Sequence, residues 1–280
     1  MTMKKPIVAL ALSGLCVASA AEPLSEASEG LKTFSVGSQP MLEVSNIWGD
    51  VTIVSGPPGE IEVAFESIRS AADARNFERS RSVLPLTIEQ DGNAVIARVG
   101  RQHTNNNYEP NCRRCKLDVQ FTITVPQDAD IDASTINDGS VTVNDVGGTV
   151  SASNINGPIH IAGLERCGDI NSINGAVLLD YKIAPDADCA IRTINGDIIV
   201  GLPTPPALDL AIDLANGKVR SEFDVAAMAI PATVEQRSRG DKTIYNIEQM
   251  AGLRIGSGGA TLKITSMNGN VQIARSKNDD

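Results

Sequence analysis

The spacing in this chain that most invites chemistry is Cys112-Arg113-Arg114-Cys115, in "NCRRC". A Cys-x-x-Cys pair can carry a thiol of lowered pKa, and two adjacent guanidinium groups would stabilise its thiolate. Redox cysteines of this kind usually open a helix that follows a strand. Here a polar stretch leads in and an alternating apolar run leads out, so a structural disulfide is the simpler expectation. Beyond residue 20 the cysteines are Cys112, Cys115, Cys167 and Cys189, an even set that allows three pairings. We expect Cys112 with Cys115 and Cys167 with Cys189. A zinc site drawn from the cysteines and His103 is the competing reading, but oxidation is the simpler fate of thiols in an exported chain. His160 lies between Ile159 and Ile161 in "PIHIAG" and is expected to face solvent.

Carboxylates form the second candidate set. Asp128, Asp130 and Asp132 in "QDADID", and Asp186 and Asp188 in "PDADC", alternate so that residues two apart project to one side of an extended strand. Such clusters bind cations or supply the acid and base of glycan cleavage, as on the faces of some β-solenoid lyases and hydrolases. Lyase chemistry also wants a placed Lys or Arg, and spacing supplies none; a solvated strand edge or loop is the plainer expectation. No nucleophile elbow, phosphate-binding glycine loop or zinc-protease helix occurs, and "GSGGA" at 256–260 is not the calcium-binding nonapeptide repeat. No catalytic, cofactor-binding or metal-binding residue is therefore assigned, and a glycan-processing enzyme stands as the alternative reading.

A repeat must position whatever these groups do. "STINDGSVTV", "SNINGPIHI", "NSINGAVLL", "RTINGDIIV", "DLANGKVRS" and "TSMNGNVQI" share an apolar residue, an Asn, a Gly and a short apolar alternation. Their glycines are Gly139, Gly157, Gly175, Gly196, Gly217 and, much later, Gly269; the first four steps are 18, 18, 21 and 21 residues. Two places after each Gly stands Val141, Ile159, Val177, Ile198, Val219 or Val271, the period-two pattern of a strand with one buried face. The pairs Asn156-Gly157, Asn174-Gly175, Asn195-Gly196, Asn216-Gly217 and Asn268-Gly269 read as turns, where Gly allows positive φ. Because the same residue type returns at the same offset, the pattern predicts an all-β, solenoid-like stack in which each coil lies on the last. An antiparallel sandwich or meander of Asn-Gly hairpins is the alternative.

Stacked Asn side chains would hydrogen-bond from coil to coil. A row of Asn with Thr135, Ser153, Ser172, Thr193 and Ser266, if exposed, could also bind glycan. Cys167 and Cys189 are 22 residues apart, close to the local repeat, so stacked coils would bring them within disulfide reach. Cys167 precedes Asn174 by seven residues and Cys189 precedes Asn195 by six, so a bulge must absorb one residue. A degenerate copy, "VSNIWGDVTIVSG", lies upstream at residues 44–56, and "KLDVQFTITVP" reads as a strand ended by Pro126.

Residues 1–20 have the layout of a secretory signal peptide: Lys4 and Lys5, an apolar run, then Ala18-Ser19-Ala20. Residues 21–32 read as a linker, 33–130 as an N-terminal β region with a short helical and polar insertion, 131–275 as the Asn-Gly repeat region and 276–280 as a polar tail. Loss of the leader takes the formal charge from −10 to −12, which disfavours nucleic acid as a partner. No run after residue 20 is long and apolar enough for a transmembrane helix. With aromatics only 3% of the chain, a core of Val, Ile, Leu and Ala suits thin stacked layers.

The series "LEVSNIWGDVTIVSG", "VQFTITVPQDADIDASTINDGSVTV" and the Asn-Gly ladder resembles the bacterial putative-adhesin family across roughly residues 33–275. That resemblance implies an exported, repeat-built β domain; it supplies no catalytic residues, and the Cys-x-x-Cys is not part of its pattern. The expected function is a non-enzymatic binding or scaffold protein of the cell envelope, periplasmic or at the cell surface. Its partner would be an envelope glycan or protein, and a periplasmic stress or signalling component acting through a protein is a further alternative.

Overall fold

A computed structural model describes residues 23–100, 112–239 and 242–276. The leader, His103 with its polar stretch, and the tail after Ser276 lie outside the described residues. Among the described residues the fold is all-β, with one helix, two large mixed sheets of ten and eleven strands, and a separate two-stranded sheet.

The alternation seen in the sequence becomes seven strand–corner–strand rungs, each named here by its corner glycine. The Gly49 rung joins Met41–Ser45 to Val51–Gly56, the Gly139 rung Asp130–Thr135 to Val141–Asn144, and the Gly157 rung Thr149–Asn156 to Ile159–Leu164. The Gly175 rung joins Arg166–Asn174 to Val177–Tyr181, and the Gly196 rung Cys189–Asn195 to Ile198–Leu202. The Gly217 rung joins Leu208–Asn216 to Val219–Ser221, and the Gly269 rung Thr261–Asn268 to Val271–Arg275. The two strands of every rung lie in different sheets, so Asn-Gly carries the chain between layers and closes no hairpin. Neighbouring rungs pair in parallel, with like positions opposite: Ile159 faces Val141 on one side and Val177 on the other. The inward residues of both layers, among them Ile131, Ile170, Ile191, Val143, Ile161 and Val200, form one continuous apolar core.

Rung order in space departs from order in sequence. The Gly269 rung inserts between the Gly196 and Gly217 rungs, so the stack runs Gly49, Gly139, Gly157, Gly175, Gly196, Gly269, Gly217. Each rung therefore does not simply lie on its predecessor. The upstream copy at 44–56 stacks directly on the Gly139 rung, and Glu60–Ala71, paired antiparallel to Lys116–Pro126, lies at the same end. Residues 24–32, expected as a linker, belong instead to the edge strand Leu24–Ser35, paired antiparallel to Glu60–Ala71. Nearly every side chain of that strand is exposed, so it carries no alternation for the sequence to reveal.

Side chains close the two ends. At the first, Arg69 donates to the carbonyl oxygens of Ser80 and Leu84, tying the helix Ala74–Val83 to its sheet, while Lys32 reaches across to the Ile88 carbonyl of the other. At the far end, Ala251–Ile255 runs antiparallel to Leu208–Asn216 and is pinned by Arg254, whose Nε and Nη2 donate to the two Asp209 oxygens, each at 2.7 Å.

The corners explain the glycines, and positive φ is only part of the reason. Positive φ holds at Gly49, at 104°, and at Gly157, Gly196 and Gly269, at 157–159°, but Gly139, Gly175 and Gly217 do not share it. What all six later corners share is that a Cβ on Gly139, Gly157, Gly175, Gly196, Gly269 or Gly217 would overlap the carbonyl oxygen of the corner glycine on the preceding rung in space. Only a glycine Cα lets successive corners approach to strand spacing.

Gly175→Ala and Gly196→Ala should each lower the unfolding free energy in denaturant by about 3 kcal/mol, because the opposing atom is backbone and cannot move aside. Gly37→Ala, whose Cβ meets nothing nearer than the Asn93 side-chain oxygen at 3.4 Å, should change it by under about 0.5 kcal/mol. Arg254 holds the Asp209 carboxyl below its usual range, so the pair stabilises above the unfolded carboxyl value of about 3.9 and loses its contribution as pH falls through the depressed folded value. In acid titrations of unfolding, the stability difference between the wild type and Arg254→Leu should shrink below that range.

Candidate binding surface at the Asn-Gly corners

Each corner presents an inner and an outer row. In the inner row, Thr135, Asn154, Ser172, Thr193 and Ser266 are buried, with Asn46 at the same place in the first rung. Several serve the close-packed corner carbonyls. Asn46 Nδ2 and Thr135 Oγ1 donate to the Gly49 oxygen at 3.1 and 3.0 Å, Asn154 Nδ2 to the Gly139 oxygen at 2.9 Å, and Ser172 Oγ to the Gly175 oxygen at 3.2 Å. Thr135, Ser172, Thr193 and Ser266 therefore face the interior and cannot form an exposed ligand row; of the five hydroxyls considered, only Ser153 reaches the surface.

The outer row is a ladder of side-chain amides. Asn156 Nδ2 donates to Asn137 Oδ1 at 3.0 Å, Asn174 to Asn156 at 3.0 Å, Asn195 to Asn174 at 2.8 Å, Asn268 to Asn195 at 2.9 Å and Asn216 to Asn268 at 3.1 Å. All five bonds run in one sense. Beside the ladder stand Ile136, Ile155, Ile173, Ile194 and Met267, large apolar side chains left 37–53% exposed. Register places them next to one another, since Asn156 pairs with Asn174, Asn174 with Asn195 and Asn195 with Asn268. Trp48 bridges Asn137 in parallel, so the sole tryptophan continues the amide row at its first end.

The structure joins Cys112 to Cys115 and Cys167 to Cys189, with Cα separations of 5.5 and 5.4 Å. Cys167 and Cys189 are inward core residues that clamp the starts of the Gly175 and Gly196 rungs. The odd residue is absorbed on the Gly175 rung: Val150 pairs with Cys167 but Ala152 with Ile170, and a Cβ on Gly168 would overlap Ser151 Oγ. At the other disulfide, both sulfurs lie 3.4 Å from the Asn76 carbonyl oxygen in the first turn of the helix, and Arg113 N donates to Asn76 Oδ1. A carbonyl oxygen at that place opposes a thiolate, so the geometry suits a staple between helix and strand.

The carboxylates are dispersed along the stack. Asp128 accepts from Gln39 N, Asp130 from Thr149 N and Asp188 from Thr261 N, at 2.7–2.9 Å, each linking two segments through a backbone amide. Asp186 is exposed. Partial burial, and then the Glu43 carboxylate on the neighbouring strand, push the Asp132 carboxyl above its ordinary range; Glu43 itself is paired with Arg98. His160 is exposed on the outer sheet face. Among the described residues no three His, Cys, Asp or Glu side chains gather as a metal site would require, and no helix is long and apolar enough to cross a membrane.

No family model and no curated protein matches the chain. Among solved structures it is similar to a putative cell adhesion protein from Clostridium sporogenes, at 12% identity and a TM-score of 0.42, over 90% of this chain and 100% of that one. It is also similar to a putative adhesin from Bacteroides fragilis, at 10% identity and a TM-score of 0.38, over 88% and 97%. A third, a putative lipid binding protein from Parabacteroides distasonis, stands at 7% and 0.29 over 88% and 97%. At such identity and overlap these likenesses carry no argument about function, and the functional reading rests on the geometry.

Replacing Cys167 and Cys189 together with Ser should lower the unfolding free energy by about 3 kcal/mol, as expected for closing a loop of this size. The Cys112/Cys115 double replacement, which opens a far smaller loop, should cost less; the reverse order in denaturant melts would contradict the assigned roles.

Proposed function

We propose that this chain is an exported, non-enzymatic binding or scaffold protein of the bacterial cell envelope, acting in the periplasm or at the cell surface on an envelope glycan or protein. One observation carries the reading. Asp128, Asp130 and Asp188, which could have done chemistry, are used as acceptors that lock the stack, while the repeat builds a long, regular outer row of amides and aliphatic side chains. Alternating layers joined by parallel pairing are read here as a two-faced solenoid, an architecture suited to presenting such a row. Two disulfides and the signal-like leader suit an oxidising compartment.

The test is co-sedimentation of the oxidised protein with peptidoglycan sacculi and with outer-membrane vesicles, while the supernatant is assayed for released sugars. Saturable sedimentation without release is the expected result. Release of sugars would overturn the non-enzymatic reading in favour of glycan cleavage, and absence of binding to either would overturn the envelope-surface reading.

A further inference from the structure

We infer that the outer corner row is a binding track for a linear, extended, uncharged polysaccharide, laid along the Asn ladder with Trp48 at one end. This deepens the envelope-binding reading and rests on it.

Hydrogen-bond valence supports the assignment. A side-chain amide has two N–H donors and an oxygen with two lone pairs. Within the ladder, Asn156, Asn174, Asn195 and Asn268 each give one N–H to one neighbour and accept from the other at one lone pair. Each therefore keeps a second N–H and a second lone pair, held in a fixed direction because the ladder has already removed the side chain's rotational freedom. From Asn137 to Asn216 the row spans about 24 Å at ordinary strand spacing. A ligand that matches it must offer donors and acceptors at a short regular repeat, as the hydroxyls of a polysaccharide do.

The flanking surface narrows the class. Ile136, Ile155, Ile173, Ile194 and Met267 form an apolar strip beside the amides, suited to the C–H faces of sugar rings. A partly exposed indole in line with the amide row adds an aromatic platform. The strip and ladder carry no charge and the chain is net acidic, so a polyanionic ligand is disfavoured and a neutral one fits. A patch of this kind on a water-facing surface marks an interaction site.

Because Trp48 is the sole tryptophan, its fluorescence reports occupancy of that end directly. Titration of the full-length oxidised protein with chitohexaose and with cellohexaose should give a saturable change for at least one of them, with the matching disaccharide at least about tenfold weaker. Ile155→Glu with Ile173→Glu, at positions remote from the indole, should weaken binding by at least about tenfold with an unchanged melting curve. If that double variant fails to fold, Met267→Glu, the most exposed member of the strip, serves in its place. Wild type inert to both hexasaccharides, or folded variants that bind like wild type, would overturn the track. Concentration-dependent self-association abolished by the same variants would overturn it as well and assign the strip to a second copy of the chain. Wild type and variants sedimenting equally with sacculi would leave the envelope reading standing while the track falls, and no sedimentation at all would remove the reading beneath it.

Discussion

The close approach of one corner glycine to the carbonyl of the next is the contact on which the rest of this molecule depends. Parallel rungs pair at strand spacing only if nothing projects from the Cα that faces the preceding carbonyl. Six successive corners, from Gly139 to Gly217 in spatial order, meet that condition. Once the backbones lie that close, the inner Asn, Thr and Ser side chains can reach corner carbonyls that would otherwise be buried without partners. The outer Asn side chains then fall within hydrogen-bond distance of one another. One steric requirement thus produces a buried inner row and a regular outer one.

The same requirement accounts for why rungs can be stacked out of sequence order. From the Gly139 rung onward every interface uses one key: a glycine against a carbonyl, an Asn donating to an Asn, and Val or Ile opposite Val or Ile two places after the glycine. The Gly269 rung therefore fits between the Gly196 and Gly217 rungs as well as it would fit at an end. What distinguishes its place are individual contacts outside the key, such as Thr261 N donating to Asp188 and Asn270 N to Asp197. Carboxylates that resemble catalytic candidates in the sequence are in this fold the marks that tell one rung from another.

Much of this was legible in the residues, and the parts that were not share a cause. Alternation at Val141, Ile159, Val177 and Ile198 disclosed strands with one buried face, and the recurring Asn disclosed a ladder. The bulge beside Cys167 followed from counting residues to the next Asn, and the structure places it at Gly168. Periodicity reports only which residues are equivalent, so it could not tell the inward hydroxyls of Thr135, Ser172, Thr193 and Ser266 from outward ones, nor reveal that Ile136, Ile155, Ile173 and Ile194 stay half-exposed. It was silent on rung order because the rungs are chemically degenerate. It suggested positive φ for the glycines, which Gly157, Gly196 and Gly269 have and Gly175 and Gly217 lack, but not the close packing common to all of them, and it passed over Leu24–Ser35, an edge strand whose two faces both meet solvent.

Native-state hydrogen exchange at the corner amides would test the central constraint most directly. Gly157, Gly175, Gly196 and Gly269 lie at the molecular surface, yet each donates its N–H to the backbone of the next rung, to Asn174, Asn195, Asn268 and Asn216 respectively, at 2.9–3.1 Å. If the corners are the close-packed seam that holds the layers together, these amides should exchange as slowly as those of the central strands Ile159–Leu164 and Ile198–Leu202, opening only with global unfolding. Exchange at the rate of surface turns would contradict the account: the corners would then be passive connections, and the order of the stack would have to come from the core alone.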